Sequence, residues 1–212
     1  MDRKRITKKV LSKLKTSSKE DIKDKIGKKP ESLWIVEDFS GSNSSKYLEE
    51  LTKENYLTKY KVNGKSVYYK IQDSMFGKLT SPSHVEFKLV DKLGIDYFMV
   101  GLAVYNGLGL TTQVPSIVEY ISDKEIKFEN VSKSSRDWEY VKSNFSKYKN
   151  MNQKEVSVIW AINNHKNIPD TTDTKIVKML WSIISDEKIS FKKIEPMLDK
   201  EPKEWMLKNK EK

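Results

Sequence analysis

The first apolar residues of the chain recur at helical spacing, and the pattern predicts two short helices. Four apolar side chains between residues 3 and 15 fall on one helical face, and most other positions are Lys or Arg. These side chains are Ile6, Val10, Leu11 and Leu14. Ser18 stands where it would cap a second helix, with Asp21 three residues on as a capping-box partner. We expect this second helix to end near Gly27.

A strand-like run, a capped helix and a hairpin signal come next. Residues 33–36 form a short apolar run, and residues 41–45 form a turn rich in helix-capping residues. An apolar stripe through Leu51 continues the helix that this turn begins. Asn63-Gly64 then separates two runs of period two, which is the strongest short-range signal for a β-hairpin. Short strand, small helix, capped helix and hairpin is the order of elements in a winged helix-turn-helix.

A purely apolar run in the middle of the chain ends in a polar turn. No charged residue occurs from Phe98 to Tyr105, and the run is too short to span a membrane. It predicts a helix over residues 97–106 that is apolar on every side and buried in a core. We expect Gly107 and Gly109 to end this helix, because glycine readily adopts positive φ.

The remaining pattern predicts a mixed domain that finishes in helices. Ser83 is expected to cap a helix that runs to Gly94. The other expected elements are a strand over 117–122, its hairpin partner over 125–131, an amphipathic segment over 138–148, a helix after Asn152, and a further helix capped by Thr171, Thr172 and Asp173. The predicted class is therefore α+β, with an N-terminal winged helix-turn-helix over residues 1–75. An α/β domain with a helical C-terminal part follows over residues 76–212.

The net charge of +10 is concentrated in the first third of the chain. Residues 1–72 carry 18 basic and 10 acidic side chains, whereas residues 73–212 carry 22 and 20. Lys outnumbers Arg by 37 to 3, which indicates compositional bias, but such bias does not explain why the excess lies at one end. A one-sided basic segment is typical of proteins that bind a polyanion such as nucleic acid.

The winged-helix interpretation assigns candidate DNA contacts. In this fold the N-terminal residues of the second helix face the base edges of the major groove, and the hairpin, or wing, lies beside the phosphates. The candidate DNA-binding residues are Ser42, Asn43, Ser44, Lys46, Lys53, Lys59, Lys61, Lys65 and Lys70. The alternative is a winged helix that binds a protein partner and whose basic residues only reflect composition.

Motifs for catalysis and for metal binding do not reach the required patterns. Gly64-Lys65-Ser66 would need a glycine at position 59 to form a phosphate-binding loop, and Lys59 stands there. Gly41-Ser42 is not followed by the Asp-x-Asp pair that a nucleotidyltransferase needs to hold metal ions. The two histidines have no partners at zinc-ligand spacing, and the chain contains no cysteine. We therefore expect no catalytic site, metal site or cofactor. Since no apolar stretch of signal-peptide or membrane-spanning length occurs, we expect a cytoplasmic protein without membrane contact.

The segment Gly-Leu-Thr-Thr-Gln-Val-Pro at residues 109–115 resembles a turn in the AbiEi family, where a similar apolar helix precedes it. Members of this family are the antitoxin and transcriptional-regulator half of abortive-infection toxin–antitoxin pairs. The matching motif residues are Gly109, Thr111, Thr112, Gln113 and Pro115. The order of elements before residue 75, the aromatic strand near Tyr68 and the late Trp205 are also similar to the family pattern.

The resemblance implies an autorepressor that binds double-stranded DNA at its own operator, which in the family can contain inverted repeats. A monomer that pairs on DNA fits such repeats. The resemblance also implies a cognate toxin of nucleotidyltransferase type, counteracted directly or indirectly and without need of a stable complex. Two other hypotheses remain open: a winged-helix adaptor for a protein partner, and a small enzyme with a site in the cleft around residues 97–115.

Overall fold

The chain folds into two compact units, each with helices and strands, as the predicted α+β class requires. The computed structural model describes residues 17–75, 77–131 and 137–210. The first unit contains the described residues up to Ile95 together with 126–131, and the second contains 96–125 and 137–210. The helix predicted over residues 3–15 lies outside the described residues.

The helices and strands follow in this order. In the first unit they are α1 (Lys19–Gly27), β1 (Leu33–Trp34), a 3-10 turn (Val36–Asp38), α2 (Ser44–Lys53), β2 (Leu57–Val62), β3 (Lys65–Lys70), β4 (Gln72–Ser74), β5 (Gly77–Leu79) and α3 (Val85–Lys92). Next come β6 (Tyr97–Met99), α4 (Gly101–Gly107) and β7 (Ile117–Ser122) of the second unit, and then β8 (Phe128–Glu129), which belongs to the first. The second unit ends with β9 (Asp137–Tyr140), a 3-10 turn (Phe145–Tyr148), α5 (Gln153–Asn163), a 3-10 turn (His165–Asn167), α6 (Asp173–Asp186), α7 (Phe191–Ile194), a 3-10 turn (Glu195–Met197) and α8 (Lys200–Lys208).

The core of the first unit forms where α1 packs against α2. The Ser18 hydroxyl accepts a hydrogen bond from the Asp21 amide at 3.1 Å, and the Asp21 carboxylate accepts one from the Ser18 amide at 2.9 Å, so the predicted capping box is confirmed. The cap sets the start of α1 so that its apolar face turns inward. The buried side chains of this core are Ile22, Ile26, Trp34, Phe39, Leu48, Leu51, Leu57 and Tyr68.

The predicted hairpin at Asn63-Gly64 is confirmed. Both turn residues have positive φ, 50° and 76°, as a two-residue type I′ turn requires. β2 and β3 pair antiparallel over their full lengths, and β1 pairs antiparallel with the far end of β3. The sheet order is β1-β3-β2-β8. The hairpin follows α2 directly in the chain and belongs to the same unit.

The second unit combines a three-stranded sheet with helices around one apolar core. β7 lies between β6, which is antiparallel to it, and β9, which is parallel. The Asn152 side chain caps α5 in a capping box with Glu155, and the Thr172 side chain caps α6. These two helices were predicted at these positions, and their buried residues, such as Ile159 and Leu180, line the core.

The helix predicted over residues 97–106 is wrong in its first half. Residues Tyr97–Met99 form strand β6, and only Gly101–Gly107 are helical. An unbroken apolar run has no polar positions from which a period can be read, so it does not distinguish a buried strand from a buried helix. Gly109 has the expected positive φ of 71°, whereas Gly107 is the last helical residue and is not among the positive-φ glycines.

Two further expectations are also wrong. Residues 125–131 do not form a hairpin with 117–122, because β8 pairs with β2 instead. The amphipathic segment over 138–148 consists of the end of β9 and a 3-10 turn, and its Val141, Phe145 and Tyr148 pack into the core as its pattern predicts. The residue that precedes α3 as its N-cap is His84, not Ser83, and its φ is 52°.

The division into units also differs from the boundary predicted after residue 75. Residues 77–95 belong to the first unit, where α3 contacts β1, and residues 126–131 join it through the pairing of β8 with β2. Both contacts are long-range, so the composition shift near residue 75 contains no signal for them. Among the described residues, no helix is long and apolar enough to cross a membrane.

Candidate nucleic-acid interface

The residues predicted to contact bases lie at the start of α2, and three of the four are exposed. Ser42, Asn43 and Lys46 are exposed, and the Asn43 side chain makes no capping hydrogen bond with the helix. Ser44 is only 1% exposed, and its hydroxyl donates a hydrogen bond to the Gly41 carbonyl at 3.0 Å. The neighbouring Ser45, which the sequence analysis did not select, is exposed.

The glutamates of α2 and its C-cap are paired with lysines. Glu49 lies 2.5 Å from the Lys59 ammonium, and Glu50 lies 3.4 Å from Lys19 and 4.0 Å from Lys46. Glu54 also pairs with Lys19. The two lysines of the candidate DNA-binding set that pair here, Lys46 and Lys59, therefore have their charges partly compensated.

Glu49 connects α2 to the hairpin. Its carboxylate accepts hydrogen bonds from Lys59 Nζ on β2 and from the Tyr68 hydroxyl on β3, at 2.5 and 2.7 Å. Partial burial of this carboxylate acts to raise its pKa, but the hydrogen bonds from Lys59 and Tyr68 outweigh desolvation, and the pKa of Glu49 is lowered. Burial raises the pKa of the Tyr68 hydroxyl, so it remains a donor at neutral pH. These contacts fix the orientation of the hairpin relative to α2.

The other candidate lysines of this helix and the hairpin differ in their surroundings. Lys61 lies 3.5 Å from the Glu129 carboxylate, and the Lys70 ammonium lies 5.5 Å from the centre of the Tyr56 ring. Lys53 and Lys65 are exposed, and no acidic side chain within the described part of the chain lies at ion-pair distance from either. Lys53, Lys65 and Lys70 thus have no ion pair with a described acidic side chain, although Glu49 interacts electrostatically with Lys53.

A cleft of about 400 Å³ opens between the start of α2 and the hairpin. Ser45 comes from α2, Lys65 and Ser66 come from β3, and Lys92 follows from α3. The remaining lining residues are Ile35, Val36, Glu37, Glu49, Tyr68 and Leu93. Lys92 is paired with Asp38 at 2.7 Å and Glu49 with Lys59, which leaves Lys65 as the cation at the cleft that no carboxylate pairs. The hydroxyl groups of this cleft and the Lys65 ammonium suit an oxygen-rich anion such as a phosphate diester, whereas the Glu37 carboxylate in the same lining opposes one.

The turn at residues 109–115 is held by its own polar groups. The Thr111 hydroxyl, 7% exposed as a residue, accepts a hydrogen bond from the Gln113 amide at 3.2 Å. The Gln113 side chain donates to the Asp170 carboxylate at 2.7 Å, which ties this turn to the one before α6. Pro115 is buried, whereas Thr112 is exposed and Val114 is 71% exposed. The motif therefore presents a polar and an apolar side chain on the surface of the second unit.

A close backbone contact lies just before this turn. Gly101 begins α4 with φ 66°, and the Glu119 carboxylate accepts a hydrogen bond from the Leu102 amide at 3.3 Å. A Cβ atom at residue 101 would lie 1.7 Å from Glu119 Oε2. Only glycine allows the carboxylate to approach the helix start in this way.

The described residues outside the first unit show no metal cluster, and the buried histidine there makes structural contacts. No three His, Asp or Glu side chains in the ranges 17–75, 77–131 and 137–210 are grouped to hold a metal ion. His165 is 3% exposed, stacks on the Trp205 ring at 3.8 Å between centroids, and contacts the Ile162 carbonyl through Nδ1. This histidine fastens α8 to the core.

The excess of positive charge lies mainly in a segment shorter than the first third of the chain. Residues 1–16 contain seven basic and one acidic side chain, whereas residues 17–72 contain eleven and nine. Most of the surplus in the first third of the chain thus precedes α1. The hairpin and α2 contribute few uncompensated charges.

A comparison with protein-family models gave no match, and a comparison with curated proteins gave none either.

Proposed function

We propose that this protein is a DNA-binding autorepressor and the antitoxin of an abortive-infection toxin–antitoxin pair. In this proposal the first unit is a winged helix that binds double-stranded DNA in the cytoplasm. The observation that carries the DNA-binding part is the order and pairing of its elements. α1, β1, the 3-10 turn and α2 are followed by the β2–β3 hairpin, and β1 pairs antiparallel with β3.

The proposed contacts follow from exposure and charge. Asn43, Ser45 and Lys46 are the exposed side chains at the start of α2, and we assign base contacts to them. We assign the base contact to Ser45 instead of Ser44, because Ser44 is buried and its hydroxyl already donates a hydrogen bond to the Gly41 carbonyl. Lys53 and Lys65 supply phosphate contacts, since neither lies at ion-pair distance from an acidic side chain among the residues described.

The antitoxin part rests on the resemblance of residues 109–115 to the AbiEi family. The exposed Thr112 and Val114 would be available to a partner, and the bond from Gln113 to Asp170 would keep them in position. The partner in this proposal is a nucleotidyltransferase-like toxin, counteracted directly or indirectly. Co-expression with a toxin encoded beside this gene tests the antitoxin part: growth should be rescued by the full chain.

A mobility-shift titration tests the DNA-binding part. The full chain is titrated against the DNA upstream of its own gene and against an unrelated duplex, each at two salt concentrations. We expect preferential binding to the upstream DNA that persists at the higher salt, because base contacts add an energy that counterion release does not supply. Equal and salt-sensitive binding to both duplexes would reject a sequence-specific repressor.

A pair of variants assigns the phosphate contact to the hairpin. Lys65→Gln should weaken binding to both duplexes and reduce the slope of log K against log salt by about 0.9, the value for one phosphate contact. Lys175→Gln, at an exposed position of α6, removes the same charge from the second unit and is the matched control. Equal effects of the two substitutions would remove the hairpin from the proposal.

A second candidate function is a winged-helix adaptor that binds a protein. The observation that favours it is the charge balance around α2. Its glutamates Glu49 and Glu50 and the C-cap Glu54 pair with lysines, so the surface of this helix has little net positive charge. A helix with alternating charges suits a polar protein surface as well as it suits DNA. Absence of binding to any duplex in the titration would favour this candidate.

A further inference from the structure

One strand of the sheet in the first unit comes from a separate part of the chain. Residues 126–131, here called the strap, belong to the first unit although residues on either side belong to the second. Within the strap, β8 pairs antiparallel with the end of β2 that lies next to the hairpin turn. Glu129 faces Lys61, and Phe128 faces Val62.

The strap is held at the hairpin turn by hydrogen bonds and an ion pair. The Asn63 amide donates a hydrogen bond to the Lys127 carbonyl at 2.9 Å, and the Lys127 amide donates one to Asn63 Oδ1 at 2.8 Å. Ile126, at the start of the strap, is only 5% exposed. The Glu129 carboxylate completes the contact through its pair with the Lys61 ammonium at 3.5 Å.

We propose that the strap restrains DNA binding by the hairpin, because Glu129 occupies a lysine that would otherwise contact a phosphate. This inference rests on the proposed binding of DNA by the first unit. A phosphate diester and the Glu129 carboxylate compete for the same Lys61 ammonium, so DNA must displace Glu129 before it gains this contact. The strap thereby sets the affinity of the winged helix from a segment outside residues 17–95.

The contact is suited to reversible competition. The side chains of Lys61 and Glu129 are 38% and 54% exposed, so water and salt already weaken their attraction. The ion pair joins two partly exposed side chains, and neither belongs to the apolar core formed by α1 and α2. Removal of Glu129 from Lys61 therefore requires no disruption of the apolar core formed by α1 and α2.

A charge-matched pair of variants tests the proposal in the full chain. Glu129→Gln and Glu139→Gln both raise the net charge by one, but Glu139 lies on β9 of the second unit and is exposed. We expect Glu129→Gln to tighten binding to any duplex about two- to fivefold at low salt, the range of one exposed ion pair. The slope of log K against log salt should become steeper by about 0.9, because Lys61 then neutralises a phosphate. Glu139→Gln should leave the slope unchanged.

Lys61→Gln provides the second side of a double-mutant cycle. In that background Glu129→Gln should have no more effect than Glu139→Gln, because the residue that Glu129 restrains is gone. An effect of Glu129→Gln that still exceeds that of Glu139→Gln in this background would show that Glu129 does not act through Lys61, and it would overturn the proposal. Equal effects of Glu129→Gln and Glu139→Gln in the parent chain would overturn it as well.

The outcomes separate this proposal from the proposed function. Binding by the parent chain with no difference between the two variants rejects the strap alone. Binding by Glu129→Gln without binding by the parent supports the strap, and absence of binding by every variant rejects DNA binding and the strap together. As an independent readout, Asn63→Gly keeps the positive-φ turn but removes the acceptor of the Lys127 amide. Hydrogen exchange at that amide should then accelerate, and unchanged protection would contradict the attachment described here.

Discussion

At the scale of single residues, Gly101 occupies a backbone position that favours glycine. Its φ of 66° lies in the left-handed region, and a Cβ atom there would lie 1.7 Å from Glu119 Oε2, so the Glu119 side chain would have to move. We expect Gly101→Ala to lower the free energy of unfolding by about 2–3 kcal/mol. This value is the upper part of the range for a non-glycine residue in left-handed backbone, because Glu119 must also move.

Urea unfolding followed by tryptophan fluorescence measures this effect, since Trp138, Trp160, Trp181 and Trp205 all lie in the second unit. Gly107→Ala is the control in the same helix, because no atom lies within 4 Å of its built Cβ and its φ is not positive. That change should be neutral or stabilise by up to about 1 kcal/mol. A loss of stability as large as that of Gly101→Ala would contradict the role given to the Glu119 contact.

Ser44 and Ser45 provide a second comparison between neighbouring residues. Ser44→Ala removes the hydrogen bond to Gly41 from a buried position and should cost about 1 kcal/mol of stability without changing sequence preference. Ser45→Ala should leave stability nearly unchanged and reduce the discrimination between operator and unrelated DNA. Thermal unfolding and competition binding on the same two variants separate the effects. The opposite assignment would return the base-contacting role to Ser44.

At the scale of elements, several capping and turn signals were confirmed, whereas the long-range pairing of β8 was not predicted. Ser18 with Asp21, Asn63-Gly64 and Thr172 each predicted a helix start or a turn that the structure contains, because the physical cause lies within four residues. Strand β8 was also detectable as an alternating run. Its pairing with β2 rather than β7 depends on a contact between residues more than 60 positions apart, and alternation contains no information about that partner.

In the candidate site, too, local features could be predicted from the sequence and long-range contacts could not. Exposure of Asn43 and Lys46 at the start of α2 could be predicted from the helix period. The pairing of Lys59 with Glu49 and of Lys61 with Glu129 could not, because neither pair is local in sequence. Charge counts along the chain therefore overestimated how many lysines of the hairpin remain uncompensated.

The capping box of α5 leads to a prediction about pH. Glu155 accepts hydrogen bonds from the Asn152 amide at 3.0 Å and from Lys193 Nζ at 2.6 Å, and its side chain is 9% exposed. Burial acts to raise its pKa, but the bonds from Lys193 and Asn152 outweigh desolvation and lower the pKa below the ordinary value of 4.5. A lowered pKa in the folded state stabilises the fold above the ordinary value, and this contribution is lost as the pH falls through the folded-state pKa.

We therefore expect Glu155→Gln to reduce the free energy of unfolding by about 1–2 kcal/mol at pH 7, and by progressively less as the pH falls below 4.5 and the parent carboxylate takes up a proton. Urea titrations at pH 7 and at a series of lower pH values measure the difference. Glu201→Gln serves as the comparison, because Glu201 is exposed and its pKa is lowered by the hydrogen bond from Lys166. An effect of Glu155→Gln that stays the same over the whole series would reject the charged role of this residue.

At the scale of the whole molecule, the proposed DNA binding divides into general affinity and discrimination between sequences, and we expect different parts of the chain to supply them. Residues 1–16 have a net charge of +6, whereas residues 17–72 have +2. Counterion release depends on the number of phosphates that basic side chains neutralise and carries no sequence information. The segment before α1 should therefore supply general affinity for DNA, and the start of α2 should supply the discrimination between sequences.

Replacement of Lys8, Lys9 and Lys13 by Gln tests this division in the full chain. We expect the affinity for the operator and for an unrelated duplex to fall by the same factor, and the slope of log K against log salt to decrease by up to about 2.7, or 0.9 for each lost contact. The ratio of the two affinities should stay constant, because the residues at the start of α2 are unchanged. Lys175, Lys178 and Lys192, which are exposed in the second unit, give the matched triple control. A change in the ratio would mean that residues 1–16 contribute to sequence recognition, and an unchanged slope would mean that the basic excess makes no contact with phosphate.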